Sequence, residues 1–143
     1  MHEAVRLKAD ERGMEFFSNV YFAPDHRSAD RNFYSLHKLL TLWGVGHYNV
    51  YAVMKDGAPI GLIHGTYTSG DFYGHVYFYA GYRGKDALIG IDLVMDRIKQ
   101  HMKVNRFYAN ILKDNKAAQR FVVSAGYKFV SSNADDNTFV YEV

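Results

Sequence analysis

The sequence predicts one α/β domain, α+β in the ordering of its elements, with a mixed central sheet of about six or seven strands flanked by three to four helices. Three observations carry this. Segments of period-two alternation, such as Tyr73–Ala80, stand beside segments of helical spacing, such as Ala87–Met102. Strands alternate with helices only in the second half, which argues for a mixed sheet. The 143 residues contain no repeat, low-complexity tract or Pro/Ser-rich linker, so residues 1–143 read as a single domain.

Composition narrows the function classes. Hydrophobic residues make up 48% and charged residues 22%, an ordinary globular balance. The absence of cysteine excludes a disulfide framework and any thiolate zinc site, and fits a reducing compartment. No apolar run reaches the roughly 18 residues that span a bilayer. The opening MHEAVRLKADE places charges where a signal peptide needs an apolar stretch. The expected location is cytoplasmic, with no membrane partner. A net charge of +2 is too small to imply a nucleic-acid partner. The densest basic stretch, Arg97 to Arg106, reads as cations complementing a helix C-terminus. The aromatic load is the unusual feature, with 12 Tyr and 10 Phe.

In chain order, Glu3–Lys8 reads as a short first strand, and Arg12–Arg27 is ambiguous, with a break at Pro24. Ser28 and Asp30 are candidate N-caps for a helix to Trp43, whose apolar face is Phe33, Leu36, Leu40 and Trp43; Gly44 and Gly46 stop it. Tyr48–Met54 and Ile60–Thr68 are strands joined through Lys55-Asp56-Gly57, a hairpin signal. In the next strand, Tyr73–Ala80, His75, Tyr77 and Tyr79 face one way and Val76, Phe78 and Ala80 the other. A long helix follows the turn Gly81–Lys85, with a stripe of Ala87, Ile91, Val94, Met95, Ile98 and Met102, ending near Lys103. Arg106–Leu112 is a further strand. Asn115 or Asp114 caps a helix over Lys116–Ala125, which Gly126 closes. Tyr127–Ser131 and Thr138–Tyr141 form a final strand pair.

Two local motifs stand out against this order. The first is Tyr82-Arg83-Gly84-Lys85 after an alternating strand. A strand turning directly into a helix N-terminus directs several N–H groups and the positive dipole end into one volume, an anion site. The second is Asn115-Lys-Ala-Ala118-Gln-Arg-Phe121 followed by Gly126-Tyr127. Together, over about residues 48 to 130, they resemble the GNAT (GCN5-related N-acetyltransferase) superfamily. The resemblance implies the GNAT acyl-CoA N-acyltransferase fold and acetyl-CoA as co-substrate, without a metal. It implies that Arg83, Gly84, Lys85, Asp86, Ala87 and Leu88 hold the pyrophosphate. It further implies that the backbone of Phe78 and Tyr79 aligns the pantetheine and acetyl carbonyl, and that Asn115, Ala118 and Phe121 border the pantetheine arm.

Two places depart from the family pattern. Asp86 and Leu88 stand where the turn usually has small residues; glycine suits close approach of phosphate to backbone. Asp86 brings a negative charge to the pyrophosphate site, and Leu88 brings bulk. Val122 stands where many members have a Tyr that protonates the leaving thiolate. A valine cannot, although water can serve because a thiol leaves readily. For the amine's proton, His75 is the first candidate, since an imidazole with an ordinary pKa near 6.5 suits general-base work. Tyr79 and Tyr77 share its face, and His64 lies on the neighbouring strand. For each of them packing is the alternative role. A His64–His75 metal site is rejected because no third ligand stands at suitable spacing.

Besides a less usual acyl donor, or an acceptor such as a nucleobase, two functions remain open. One is an N-acetyltransferase moving acetyl from acetyl-CoA to a primary amine, on a small molecule or a protein, by direct attack in a ternary complex. The other is a catalytically degenerate GNAT-like domain that binds a protein or assembles, which Asp86, Leu88 and Val122 favour. The aromatics Tyr67, Tyr73, Tyr77 and Tyr79 suggest a stacked or apolar acceptor, a core, or a face that a homodimer would bury.

Overall fold

The computed structural model describes residues 1–21, 23 and 36–143. Along the chain these form β1 (His2–Arg6), α1 (Glu11–Tyr21), α2 (Leu36–Gly44), β2 (Asn49–Lys55), β3 (Ala58–Thr68), β4 (Asp71–Phe78), α3 (Lys85–His101), β5 (Arg106–Leu112), α4 (Lys116–Ser124), β6 (Lys128–Ser132) and β7 (Asp136–Glu142). All seven strands join one mixed sheet in the order β1-β2-β3-β4-β5-β7-β6. Neighbours are antiparallel except β4 and β5, the one parallel pair. No described helix is long and apolar enough to cross a membrane.

Turn chemistry sets two of the strand pairings, β2 with β3 and β3 with β4. Lys55 pairs with Ala58, and Asp56 and Gly57 between them both take positive φ, 51° and 84°. That is the two-residue turn whose twist matches the flanking strands. Ser69 and Gly70, at φ 49° and 89°, make the same turn between β3 and β4, which the sequence reading did not single out.

The helices on one face differ most from expectation. The ambiguous stretch contains α1, started by Asp10, whose Oδ1 accepts from Gly13 N at 2.8 Å. Ser28, Asp30 and Phe33, the expected start of the next helix, lie outside the described residues. In the part described, Leu39 and Trp43 are buried while Leu40 is only half-buried, so the expected face is displaced. Gly44 belongs to the helix instead of stopping it. Closure comes at Gly46, φ 85°, with Gly46 N–H to Trp43 O and His47 N–H to Leu42 O, the paired bonds of a Schellman cap.

Two apolar layers sandwich the sheet. On one face Ala87, Ile91, Val94, Met95 and Ile98 of α3, with Val122 of α4, pack on Tyr51, Ile63, Phe72, Phe78, Phe107 and Ala109. On the other, Phe17 and Val20 of α1 and Leu39 and Trp43 of α2 cover Tyr48, Val50, Leu62 and Tyr77. The alternation expected for β4 holds: Phe78 and Tyr77 belong to opposite layers. Its ladder starts at Asp71 and ends at Phe78, earlier at both ends than expected.

Phe78 lies in a notch made by two glycines. A Cβ on Gly90 of α3 would stand 2.9 Å from Phe78 Cζ and from Val53 Cγ1. One on Gly61 of β3 would meet the Phe78 ring and stand 2.5 Å from Tyr77 O, a backbone atom that cannot step aside. Gly61→Ala is expected to cost about 1–3 kcal/mol, as overpacking does. The measurement is a denaturant melt, where an unchanged midpoint would show that the strands separate readily here.

Candidate active site

The site follows from where β4 and β5 part. Their parallel pairing covers only Asp71/Arg106, Phe72/Phe107 and Tyr73/Tyr108. Beyond Tyr73, β4 stays with β3 as far as Phe78 against Gly61, and β5 stays with β7 as far as Leu112 against Asp136. The strands therefore diverge from a vertex at Gly74 and Ala109.

The divergence leaves one edge of β4 open. Tyr79 N–H is donated to Ile60 O. Alternation of the antiparallel ladder then turns the main-chain groups of Gly74, Val76 and Phe78 away from β3 and toward the gap. Phe78 O takes a bond there from Arg83 Nε at 2.7 Å, while the Arg83 guanidinium also lies 5.7 Å from the Tyr77 ring centre.

A cleft of about 360 Å³ fills the gap. Its walls are Gly74, His75, Val76, Tyr77 and Phe78 from β4, Ala109, Asn110 and Ile111 from β5, Arg83 and Ala87 from the β4–α3 turn, and Asn115, Ala117, Ala118, Phe121 and Val122 from α4. The wall is mostly apolar, and among the described residues Arg83 is the one permanently charged residue on it. Phe78 and Phe121 stack across it at 6.4 Å.

At the turn, the structure separates residues that the sequence grouped together. Arg83 and Ala87 line the cleft; Gly84, Lys85, Asp86 and Leu88 are not among its wall residues. Gly84 is the N-cap of α3 and has no side-chain acceptor, so the first-turn amides suit an external anion. The Asp86 carboxylate does not fold back over them. It is held by His2 Nε2 at 2.7 Å and Lys55 Nζ at 3.1 Å, at the start of β1 and the end of β2. These bonds, His2 first and then Lys55, hold the Asp86 carboxyl below its ordinary value. Its charge is thus offset from the sheet side, and the repulsion expected at the pyrophosphate site is correspondingly reduced.

The second motif is fixed by a cap. Asn115 Oδ1 accepts from Ala118 N at 3.3 Å. Gln119 Nε2 reaches back to Leu112 O and Lys113 O, at 3.2 and 3.0 Å, and its Oε1 accepts from Asn137 Nδ2 at 3.0 Å. These bonds tie α4 to the ends of β5 and β7. Asn115, Ala118 and Phe121 all reach the cleft, together with Val122.

His75 stands at the mouth on the face covered by α1 and α2, half-buried and directly opposite His64. Their ring centres are 5.5 Å apart. His64 is fully buried; its Nδ1 bonds to the Tyr48 hydroxyl and Phe17 meets it edge-on. Tyr79 does not line the cleft, and its ring meets Tyr77 edge-on at 5.5 Å. The β5 wall escaped sequence reasoning, because a parallel neighbour 35 residues away (Asp71 to Arg106) leaves no local signal. Gly74 and Ala109, both small and at the vertex, were the nearest thing to one.

Neither family models nor curated protein sequences match the chain. Solved structures do. The Campylobacter jejuni N-acetyltransferase PseH with acetyl coenzyme A superposes at a TM-score of 0.71 with 14% identity, covering 99% of both chains. A chimera of the Vibrio cholerae spermidine N-acetyltransferase SpeG and hSSAT gives 0.75 with 14% identity, covering 99% of this chain and 95% of that one. RimL, an alpha-N-protein acetyltransferase in complex with coenzyme A, gives 0.70 with 11% identity over 99% and 94%. The chain has the GNAT acyl-CoA N-acyltransferase fold, as the two motifs implied.

Two outcomes test this geometry. Asp86 has a lowered folded-state pKa, so its contribution to stability is present above the unfolded value of about 3.8 and fades as pH falls below it. Asp86→Asn should therefore lower the melting temperature at pH 6, with the difference shrinking below about pH 4; a gap independent of pH would mean the carboxylate is unpaired. Asn115→Ala should cost about 1 kcal/mol through loss of the N-cap, read by urea denaturation.

Proposed function

We propose that the chain is an acetyl-CoA-dependent N-acetyltransferase in which a primary amine attacks the thioester directly, with donor and acceptor bound together. The observation that supports this best is the cleft between the parted strands, which runs from the α3 N-terminus to the vertex. An anion at the first-turn amides of α3, beside Arg83, directs the rest of a coenzyme A molecule along the open edge of β4. Main-chain groups of Phe78 and Val76 offer amide partners to the pantetheine. Asn115, Ala118 and Phe121 form the opposite wall.

At the inner end, the N–H groups of Val76 and Gly74 face the position of the acyl carbonyl. A fixed donor there polarises the carbonyl and stabilises the oxyanion as the amine adds. The amine loses a proton to His75 or to water next to it, the C–S bond breaks, and the thiolate leaves with a proton from solvent. Val122 lines this end and offers no proton. Most of the acceleration in this reading comes from positioning.

The neighbours' names include a spermidine N-acetyltransferase and an alpha-N-protein acetyltransferase. This supports an amine acceptor on either a small molecule or a protein. Of the features favouring a degenerate domain, Asp86 is paired and Leu88 lies off the cleft wall, which leaves Val122.

The experiment is thermal unfolding with coenzyme A and with acetyl-CoA. Ligand at 100 times its dissociation constant adds about 2.7 kcal/mol, a rise of several degrees. No shift at millimolar ligand would overturn the reading. His75→Gln should then lower the turnover of any accepted amine chiefly on the acidic limb of the pH profile. A profile identical in shape to that of the unaltered enzyme would assign His75 to packing.

A further inference from the structure

Further space lies beyond the vertex. A second cavity, of about 20 Å³, lies behind it, beneath the sheet and against α3. The two share four wall residues: Gly74, Val76, Ala109 and Val122. Apart from these, the inner cavity is enclosed by apolar side chains, with Met95 and Ile98 of α3 and Phe107 of β5 among them, and by Tyr127. A volume of this size holds about one water-sized group, and an apolar lining leaves it dry. It suits a methyl.

Small residues form the part of the shared wall at the vertex, which we take as the neck between the two spaces. Gly74 and Ala109 are the first residues beyond the last β4–β5 rung. Ala109 belongs to the α3/α4 layer, and a Cβ on Gly74 would stand 3.0 Å from the Phe72 ring on that side. Val122, branched and short, stands where a larger side chain would fill the opening.

We infer that the donor site has room for an acyl group one carbon longer than acetyl, so that propionyl-CoA binds more tightly than acetyl-CoA. The inference rests on the proposed acyltransferase reading and deepens it. With the pyrophosphate at the α3 N-terminus, the thioester lies near Gly74 and Ala109 and the acyl tail points at the neck. An acetyl methyl stops at the neck, whereas a propionyl tail puts its terminal methyl into the inner cavity. Longer chains meet Met95 and Ile98, both buried. The transfer itself balances as before: the N–C bond forms, the C–S bond breaks, and products are the N-propionyl amine and free coenzyme A.

The test is the dissociation constants of coenzyme A, acetyl-CoA, propionyl-CoA and hexanoyl-CoA, measured by calorimetry on the intact chain. Propionyl-CoA should bind roughly fourfold tighter than acetyl-CoA, one buried methylene's worth, and hexanoyl-CoA more weakly than either. Ala109→Val and Gly74→Ala each narrow the neck, and each should abolish the propionyl advantage when ratios are taken within the same variant. Equal or weaker binding of propionyl-CoA would make the inner cavity a packing void and overturn the inference, leaving the acetyltransferase reading intact. A propionyl preference surviving both substitutions would place the acyl tail elsewhere and overturn it too. No binding of any of the four ligands removes both readings together. The profile of the unaltered chain decides the matter by itself where a variant fails to fold.

Discussion

The site depends on the early end of the β4–β5 ladder. Each of these strands is committed to a different antiparallel partner: β4 to β3 over eight residue pairs, and β5 to β7 over seven. Only three pairs join them to each other. Backbone groups in a protein interior need partners, and an opening between two strands leaves a row of them without ladder bonds. Arg83 satisfies one, at Phe78 O. The Phe78 ring in turn is seated over Gly61 and Gly90, which fixes the strand end from which Arg83 is approached. The gap is therefore held open by packing on the far side of β4, with a row of polar main-chain groups left facing it.

The same strand separates the parts of the proposed reaction. Its edge turns amides toward the cleft, one face carries His75 toward α1 and α2, and the other buries Phe78 against α3 and α4 while Val76 stays exposed on the cleft wall. One residue step exchanges the faces, so base, carbonyl donor and packing residue follow one another along Gly74–Phe78 without competing for space. In the same proposal the α3 N-terminus supplies the charge for a polyphosphate at the other end of the cleft. Asp86, on the first turn of that helix, is drawn to His2 and Lys55, which ties α3 to the edge of the sheet. A carboxylate that clamps the helix from the sheet side is compatible with an anion on the cleft side.

Much of this was legible in the sequence, and the misses have physical causes. The bounds of β5, the Asp56-Gly57 turn, the stripe of α3 and the Asn115 cap are set by interactions within a few residues, and local spacing exposes them. The start of α1 is also local, but Asp10 is followed by Gly13 and mixed aromatics, which weaken the helical pattern although the cap bond forms. Tyr79 and Ala80 continue the alternation of β4 but lie beyond its ladder, so periodicity alone overextends the strand. The face of α2 is decided by contact with Phe17 and Tyr48 on other elements, which selects Leu39 over Leu40. The cleft's β5 wall depends on a parallel crossover, invisible to any local window.

Identity of 11–14% to acetyltransferases that share the fold over nearly the whole chain becomes intelligible on these terms. The features that make the cleft are mostly main-chain features: a short parallel run, an open strand edge, and a helix N-terminus with a glycine cap. Such features constrain side chains only where a Cβ would intrude or a polar atom must be satisfied, as at Gly61, Gly90, Arg83 and Asn115. Elsewhere the sequence is free to change, as on the face of β4 that carries His75 and Tyr77. The vertex is different, since Gly74, Ala109 and Val122 line both the cleft and the space behind it, where the proposal puts the reacting end. On that proposal, small changes of volume at those three positions would alter how far an acyl tail advances while the strand parting itself is maintained.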